Sequence, residues 1–447
     1  MAIVDDASRF GYTGPFAPPE PKMKVDELTI ENFRGIRALQ MPFHPRVNLI
    51  VGINGSGKST LLDCVATLLG RFVDKLRATG GRGAHIDEDD ITLGALATKI
   101  TLAATHDAPG RLAWSIAKVR SGYKADAATD LKELEATVDR IQSDVSAHPG
   151  TNIPLVAHYP TNRAVLQIPE RIRTKHKFEQ MNAFDEALTG APDNFKLFFE
   201  WFRLREDIEN ERFREAYEEK APELAWKDRQ LNAVRAAIPA FLDGFSDLRI
   251  RRSPGPMRLM VKKDNAELAV DQLSDGEKCL LALVGDLARR LAIANPSLSD
   301  PLTGSGVIMI DEIDLHLHPS WQRKVIPALE TTFPGCQLIL TTHSPQIIAH
   351  AQAECIRTLH REGDNVVWSQ PEASFGMDSN RVLSEIMGTD ERPREIKVAL
   401  EELFALIGQG DLEGAKRFVA GMQSAMRSFP EVVKAETLIH RKEILKR

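Results

Sequence analysis

The 447-residue sequence predicts an α/β protein with a helical insertion and a small helical module at its C-terminus. Three observations predict it. The apolar run Val47-Asn48-Leu49-Ile50-Val51 passes through the glycine-rich turn Gly52–Gly57 into the helical pattern Leu61–Leu69, giving strand, loop and helix. Two further buried-strand patterns, Val307–Ile310 and Gln337–Thr342, end in polar residues, Asp311-Glu312 and His343-Ser344-Pro345. Helical spacing fills Phe178 to about Phe245 and returns beyond residue 376.

Composition sets the outer bounds. Hydrophobic residues at 43% and charged residues at 27% describe an ordinary globular chain able to bury a large core, as several domains or as one large α/β core with insertions. A formal net charge of −6 argues against a chain basic throughout, so nucleic-acid contact is left to a local patch. Cys64, Cys279, Cys336 and Cys355 form no C-x-x-C pair and read as buried, reduced thiols of a cytoplasmic protein. No apolar run approaches about 18 residues, and no signal-peptide pattern opens the chain, so no membrane contact is expected.

In order, the chain opens with a Pro-rich arm over 1–24, where Pro15, Pro18, Pro19 and Pro21 preclude a regular helix. A first lobe over 25–160 begins with the strand Val25–Phe33 and holds the glycine turn. Its later part carries the loop Gly80–Gly83, antiparallel-type strands at Ile100–Ala104 and Leu112–Val119, helical spacing over Ala125–Val145 and a buried strand at Pro154–Tyr159. The helical insertion over 161–245 has an aromatic group, Phe195, Phe198, Phe199, Trp201 and Phe202, best read as core. The charge-dense run that follows reads as a solvated face. A second lobe spans 246–375. Over 376–447, Val382–Met387, Ile396–Ile407, Leu412–Met422 and Val432–Ile444 read as short helices suited to docking or oligomerisation.

The glycine turn carries the most specific chemistry. In Asn54-Gly55-Ser56-Gly57-Lys58-Ser59-Thr60, successive backbone N–H groups and the helix N-terminus can cradle phosphates. Lys58 would reach the β- and γ-phosphates of a nucleoside triphosphate, and Ser59 would ligate Mg²⁺. Asp311 would hold the same ion through water, and Glu312 would polarise the attacking water as general base. His343, at the carboxyl end of a strand, is a candidate for sensing the γ-phosphate. Arg34, after the first strand, is a candidate for touching a phosphate or the base. Ser274 and Glu277 alone would make an ordinary capping box ahead of the helix Cys279–Leu291.

The phosphate loop, the Leu273-Ser274-Asp275-Gly276-Glu277 box, the strand ending Asp311-Glu312 and Thr341-Thr342-His343-Ser344-Pro345 come in an order that resembles the ABC-type ATPases of the SMC and RecF class. Glu31-Asn32-Phe33-Arg34-Gly35 matches their N-terminal strand, and the resemblance spans residues 25 to about 350. It implies an ABC-type P-loop ATPase head using ATP and Mg²⁺. It also implies a homodimer or higher oligomer in which Ser274 and Gly276 contact the γ-phosphate bound at Lys58 of the opposite subunit. Where that class commonly ends its D-loop in aspartate, this chain has His318, and only Asn162 and Arg163 offer themselves for a Q-loop.

A narrower resemblance rests on Tyr159–Val165, Phe198–Phe202, Asp311–Pro319 and Asp378–Leu383. These look like the PtuA-type ATPases of Septu and retron anti-phage systems, which implies a separately encoded HNH nuclease (PtuB-like) as partner. In retron members it also implies a reverse transcriptase with its RNA and DNA. The leading expectation is the ATPase switch of such a complex. A RecF- or SMC-like DNA-repair clamp is the alternative, ahead of a transporter ATPase subunit. The long stretch between Lys58 and Ser274 and the helical tail speak against the transporter.

Overall fold

A computed structural model of the chain describes residues 21–77, 85–107, 110–161, 178–188, 194–219, 226–253, 257–390, 392–422, 426 and 429–445. Most of the expected arm, the glycine turn at 80–83, and Asn162 and Arg163 lie outside the described residues. In chain order the first elements are β1 (Met23–Phe33), β2 (Ile36–Pro42), β3 (Val47–Val51), α1 (Lys58–Leu76), β4 (Ala97–His106), β5 (Arg111–Val119), α2 (Lys132–Ala147) and β6 (Leu155–Tyr159). There follow α3 (Asn194–Glu218), α4 (Arg229–Phe241), β7 (Phe245–Arg251), β8 (Arg258–Lys263), β9 (Ala266–Ala269), α5 (Asp275–Ala294) and β10 (Gly306–Ile310). The remainder comprises α6 (Val325–Thr332), β11 (Cys336–Thr342), β12 (Ile356–Glu362), β13 (Asn365–Ser369), α7 (Arg394–Gln409), α8 (Leu412–Gly421) and α9 (Pro430–Leu445), with one-turn helices between.

The central sheet runs β13-β12-β3-β11-β10-β6. Its strands are parallel except for β13, which returns antiparallel to β12. Every residue of β3, β6, β10 and β11 is buried, which explains their near-continuous apolar runs: a parallel sheet is covered on both faces. Parallel direction has a consequence for chemistry. The carboxyl ends of β3, β10 and β11 share one edge, with Thr342 opposite Val51 and Ile310 opposite Leu340, so the glycine turn, Asp311 and His343 converge there.

A four-stranded antiparallel sheet, β2-β1-β4-β5, and a three-stranded one, β7-β8-β9, complete the strands. The sequence reading did not find β2, β7–β9 or the β12–β13 hairpin. In β2 the buried Ile36, Leu39 and Met41 break strict alternation, and in β7 a register shift between Ser246 and Arg249 does the same. In β12 the buried Arg357 disguises the strand. Its guanidinium lies over Trp368 and donates to the carbonyls of Pro42, Glu354 and Ile356. Of the insertion's aromatic group, Phe198, Phe199, Trp201 and Phe202 are all buried.

The chain divides into two compact units, 1–377 and 378–447. In the second, α7, α8 and α9 share a core of Leu400, Leu403, Ile407, Leu412, Ala415, Val419, Val432, Ala435 and Ile439. Among the described residues no helix is long and apolar enough to cross a membrane.

Beneath the central sheet edge lies a buried ionic knot. Asp286 of α5 accepts from Tyr159 Oη at 2.9 Å, from Arg289 Nη2 at 2.7 Å and from Arg290 Nε at 2.7 Å. Arg290 also donates to the carbonyls of Ala183 and Asp185. Burial alone would raise the Asp286 pKa, but the two guanidinium groups outweigh it and hold the carboxyl below its usual range. Asp286→Ala would strand two buried cations, and a loss of about 3–5 kcal/mol is expected. Thermal unfolding checks this: a midpoint several degrees lower is expected, and an unchanged midpoint would contradict it.

Candidate active site

Lys58 is the first residue of α1, and Gly57 before it takes φ 102°, a left-handed conformation that a side chain would strain. No side chain caps this 19-residue helix, so its leading N–H groups are left to face a ligand. The Lys58 ammonium folds back onto the loop, donating to Gly52 O at 2.9 Å and Ile53 O at 3.2 Å, and is 6% exposed. Burial lowers its pKa, against the raising effect of Asp311, Glu312 and Asp314.

Ser59 Oγ donates to Asp311 Oδ2 at 2.9 Å, bringing together the two expected metal ligands from positions 252 residues apart. The other Asp311 oxygen accepts from the Thr341 hydroxyl. The same Thr341 Oγ1 accepts from the Glu312 N–H at 2.7 Å. That bond holds Glu312 at φ 46°, a conformation that costs a non-glycine residue about 1 kcal/mol or more. One residue on, Thr342 Oγ1 donates to Asp314 Oδ1 at 2.6 Å, and the His343 N–H donates to the same oxygen at 3.3 Å.

These groups border a cleft of about 350 Å³ whose lining includes Asn54, Gly55, Gly57, Lys58, Ser59, Thr60, Glu312 and His343. Ser56 is buried behind the loop and does not line it. Arg34 is not on the lining either. It donates to Asp63 Oδ2 at 2.6 Å and Asp90 Oδ1 at 2.8 Å, and these bonds outweigh partial burial to raise its pKa. Ser274 and Gly276 also lie off the lining. Ser274 caps α5 in a full capping box: Glu277 N–H donates to Ser274 Oγ, and Glu277 Oε2 accepts from Ser274 N–H at 3.0 Å. A Cβ on Gly276 would stand 2.5 Å from His316 O, so the box is pressed against the segment after Asp311-Glu312. His318 caps the one-turn helix Pro319–Gln322, its side chain accepting from the Ser320 N–H.

Sequence reasoning missed Thr341, Asp314 and Arg361, the last of which lines the cleft. The two adjacent threonines closing a buried strand were a usable signal, because hydroxyls at such a place must bond to something. Nothing in the sequence marked Arg361, because its strand was not recognised.

The fold and this arrangement define a P-loop ATPase. Two AAA-domain family models match, one described as "AAA domain" over residues 27–238 and one as "AAA domain, putative AbiEii toxin, Type IV TA system" over 158–349. The chain is 32% identical over 431 residues to the Retron Ec83 probable ATPase of Escherichia coli, covering 84% of this chain and 78% of that one. It is 23% identical over 385 residues to the Septu protein PtuA of Bacillus thuringiensis, covering 82% and 85%. The SMC head domain from Thermotoga maritima aligns over 78% of this chain and 100% of its own, at 15% identity and a TM-score of 0.45. The chain belongs to the family of retron and Septu ATPases, the anti-phage class that its motifs resemble.

Burial and, after it, the Lys58 charge lower the His343 pKa below the ordinary 6.5, against Asp314, Glu312 and Asp311. Above that pH the ring is neutral folded or unfolded. As pH falls through it, the unfolded chain takes up the proton first and stability is lost. In an NMR titration His343 should therefore titrate below 6.5, and Lys58→Ala should move the midpoint upward. A wild-type midpoint above 6.5, or one indifferent to Lys58, would contradict the juxtaposition.

Proposed function

We propose that this chain is the ATP-driven switch subunit of an anti-phage defence complex, in which two copies close head to tail around ATP and control a separately encoded HNH nuclease. The observation that carries the reading is the position of the signature box. Ser274 and Gly276 are fully formed as a helix start, yet neither lines the cleft that holds Lys58. A second copy docking its box over this cleft would supply them, and loss of the γ-phosphate would release it.

Within one copy, Lys58 and the open N-terminus of α1 would bind the phosphates, with Asn54, Gly55, Gly57 and Thr60 lining their path. Ser59 Oγ and Asp311 Oδ2 are hard oxygen donors at a spacing that suits Mg²⁺, which when bound neutralises charge on the phosphates. Glu312 would take the proton of the attacking water, held in place by Thr341, and His343 would hydrogen-bond the γ-phosphate.

Glu312→Gln removes the base and keeps Asp311 and Lys58. The variant should bind ATP, lose turnover by at least about 10²-fold, and accumulate as an ATP-dependent dimer in light scattering. Wild-type turnover in that variant would refute the role of Glu312, and an ATP-loaded monomer would refute the closure.

A further inference from the structure

The cleft lining is chemically mixed. Lys58, Ser59, Glu312 and His343 line it with polar groups; Ile36 and Val366, both buried, form an apolar floor, and Gly35 and Arg361 also line it. A Cβ on Gly57 would meet Ile36 Cδ1 at 3.6 Å and Val366 Cγ1 at 3.8 Å, so this floor adjoins the phosphate loop directly. A triphosphate has no use for an apolar floor. A nucleobase does, because its faces are poorly hydrated and its edges are not.

Arg361 is placed beside that floor. In the antiparallel β12–β13 hairpin it stands directly opposite Val366, so the two side chains share a face. The hairpin is stitched to β2 by side chains. Asn365 Oδ1 accepts from the N–H groups of Arg37 and Ala38 at 3.1 Å each, Asn365 Nδ2 donates to Ala38 O at 2.9 Å, and Trp368 Nε1 donates to Gln40 O at 2.7 Å. These bonds fix Arg361 and Val366 relative to Ile36. The guanidinium lies over the turn before β2, where a Cβ on Gly35 would be 3.1 Å from Nη2. Arg357, on the same strand, is buried and bonded to three carbonyls. Arg361 is exposed, and among the described residues no hydrogen bond or ion pair holds its guanidinium.

We propose that Arg361 is a nucleoside-binding residue whose planar guanidinium stacks on the base of ATP and presses it towards Ile36 and Val366. A guanidinium suits this because it is flat, permanently charged and weakly hydrated, and it can stack face to face on an aromatic ring, which a tetrahedral ammonium cannot. The assignment rests on the reading that this cleft is the nucleotide site. It adds that recognition of the nucleoside comes from the last hairpin of the sheet.

The test measures affinities of the full chain for ATP and UTP by calorimetry. Arg361→Ala should weaken ATP by about fivefold to tenfold and UTP by less, since a pyrimidine offers a smaller face, and Arg361→Lys should not restore ATP. Equal losses for ATP and UTP, restored by Arg361→Lys, would mean that the side chain serves the phosphates as a point charge, and would overturn the assignment. Unchanged ATP affinity would overturn it equally. Lys58→Ala, run in parallel and checked for folding by circular dichroism, separates the two levels. If it binds ATP normally, the cleft reading fails. If it loses ATP while Arg361→Ala does not, only the Arg361 assignment fails.

Discussion

Two hydroxyls at the carboxyl end of β11 hold the acidic end of the site together. Thr341 donates to Asp311 and accepts from the Glu312 N–H; Thr342 donates to Asp314. Both threonines are wholly buried, in an interior where an unmet hydroxyl is costly and a met one is rigid. Side-chain direction alternates along a strand, so the adjacent threonines serve carboxylates on opposite sides of β11. The parallel register of β10 and β11 makes this pairing available, and the strained backbone of Glu312 is its consequence.

The same edge connects to the signature helix. Tyr159 ends β6, its carbonyl accepting the Asp311 N–H at 2.9 Å and its hydroxyl donating to Asp286 of α5. Ser274 begins α5, and Gly276 abuts the carbonyl of His316, four residues beyond Glu312. The helix that the signature box opens and the acidic strand end are therefore joined at two places, one the buried hydrogen bond from Tyr159 to Asp286, one a backbone close approach. A buried ion pair is weak evidence for stability, since apolar residues could fill the space as well. Here both ion pairs lie within α5, and the Tyr159 hydroxyl bonded to Asp286 is what ties α5 to β6.

Much of this was legible in the sequence. Continuous apolar runs marked β3, β10 and β11 because burial on both faces leaves no polar period to confuse them. The phosphate loop announced itself through residues the backbone geometry demands, and the capping box at Ser274 was readable as local chemistry. What escaped was whatever depends on partners far along the chain. Arg34 stood in a motif but is held by Asp63 and Asp90, a pairing no local pattern reveals. The β12–β13 hairpin hid behind a buried arginine paid for by carbonyls and an indole, and with it went Arg361. The irregular period of β2 concealed the strand that anchors that hairpin.

If one complete site needs two copies, two variants that are each defective should complement one another. Lys58→Ala lacks phosphate binding but has an intact box; Ser274→Arg has an intact phosphate loop but a bulky cation where the box must approach. Neither should hydrolyse ATP well alone, and mixing them should restore turnover, because one composite site of the mixed dimer is then whole. Normal hydrolysis by Ser274→Arg alone, or undiminished ATP-dependent association of that variant in light scattering, would contradict it and leave residues 273–277 as an ordinary helix cap.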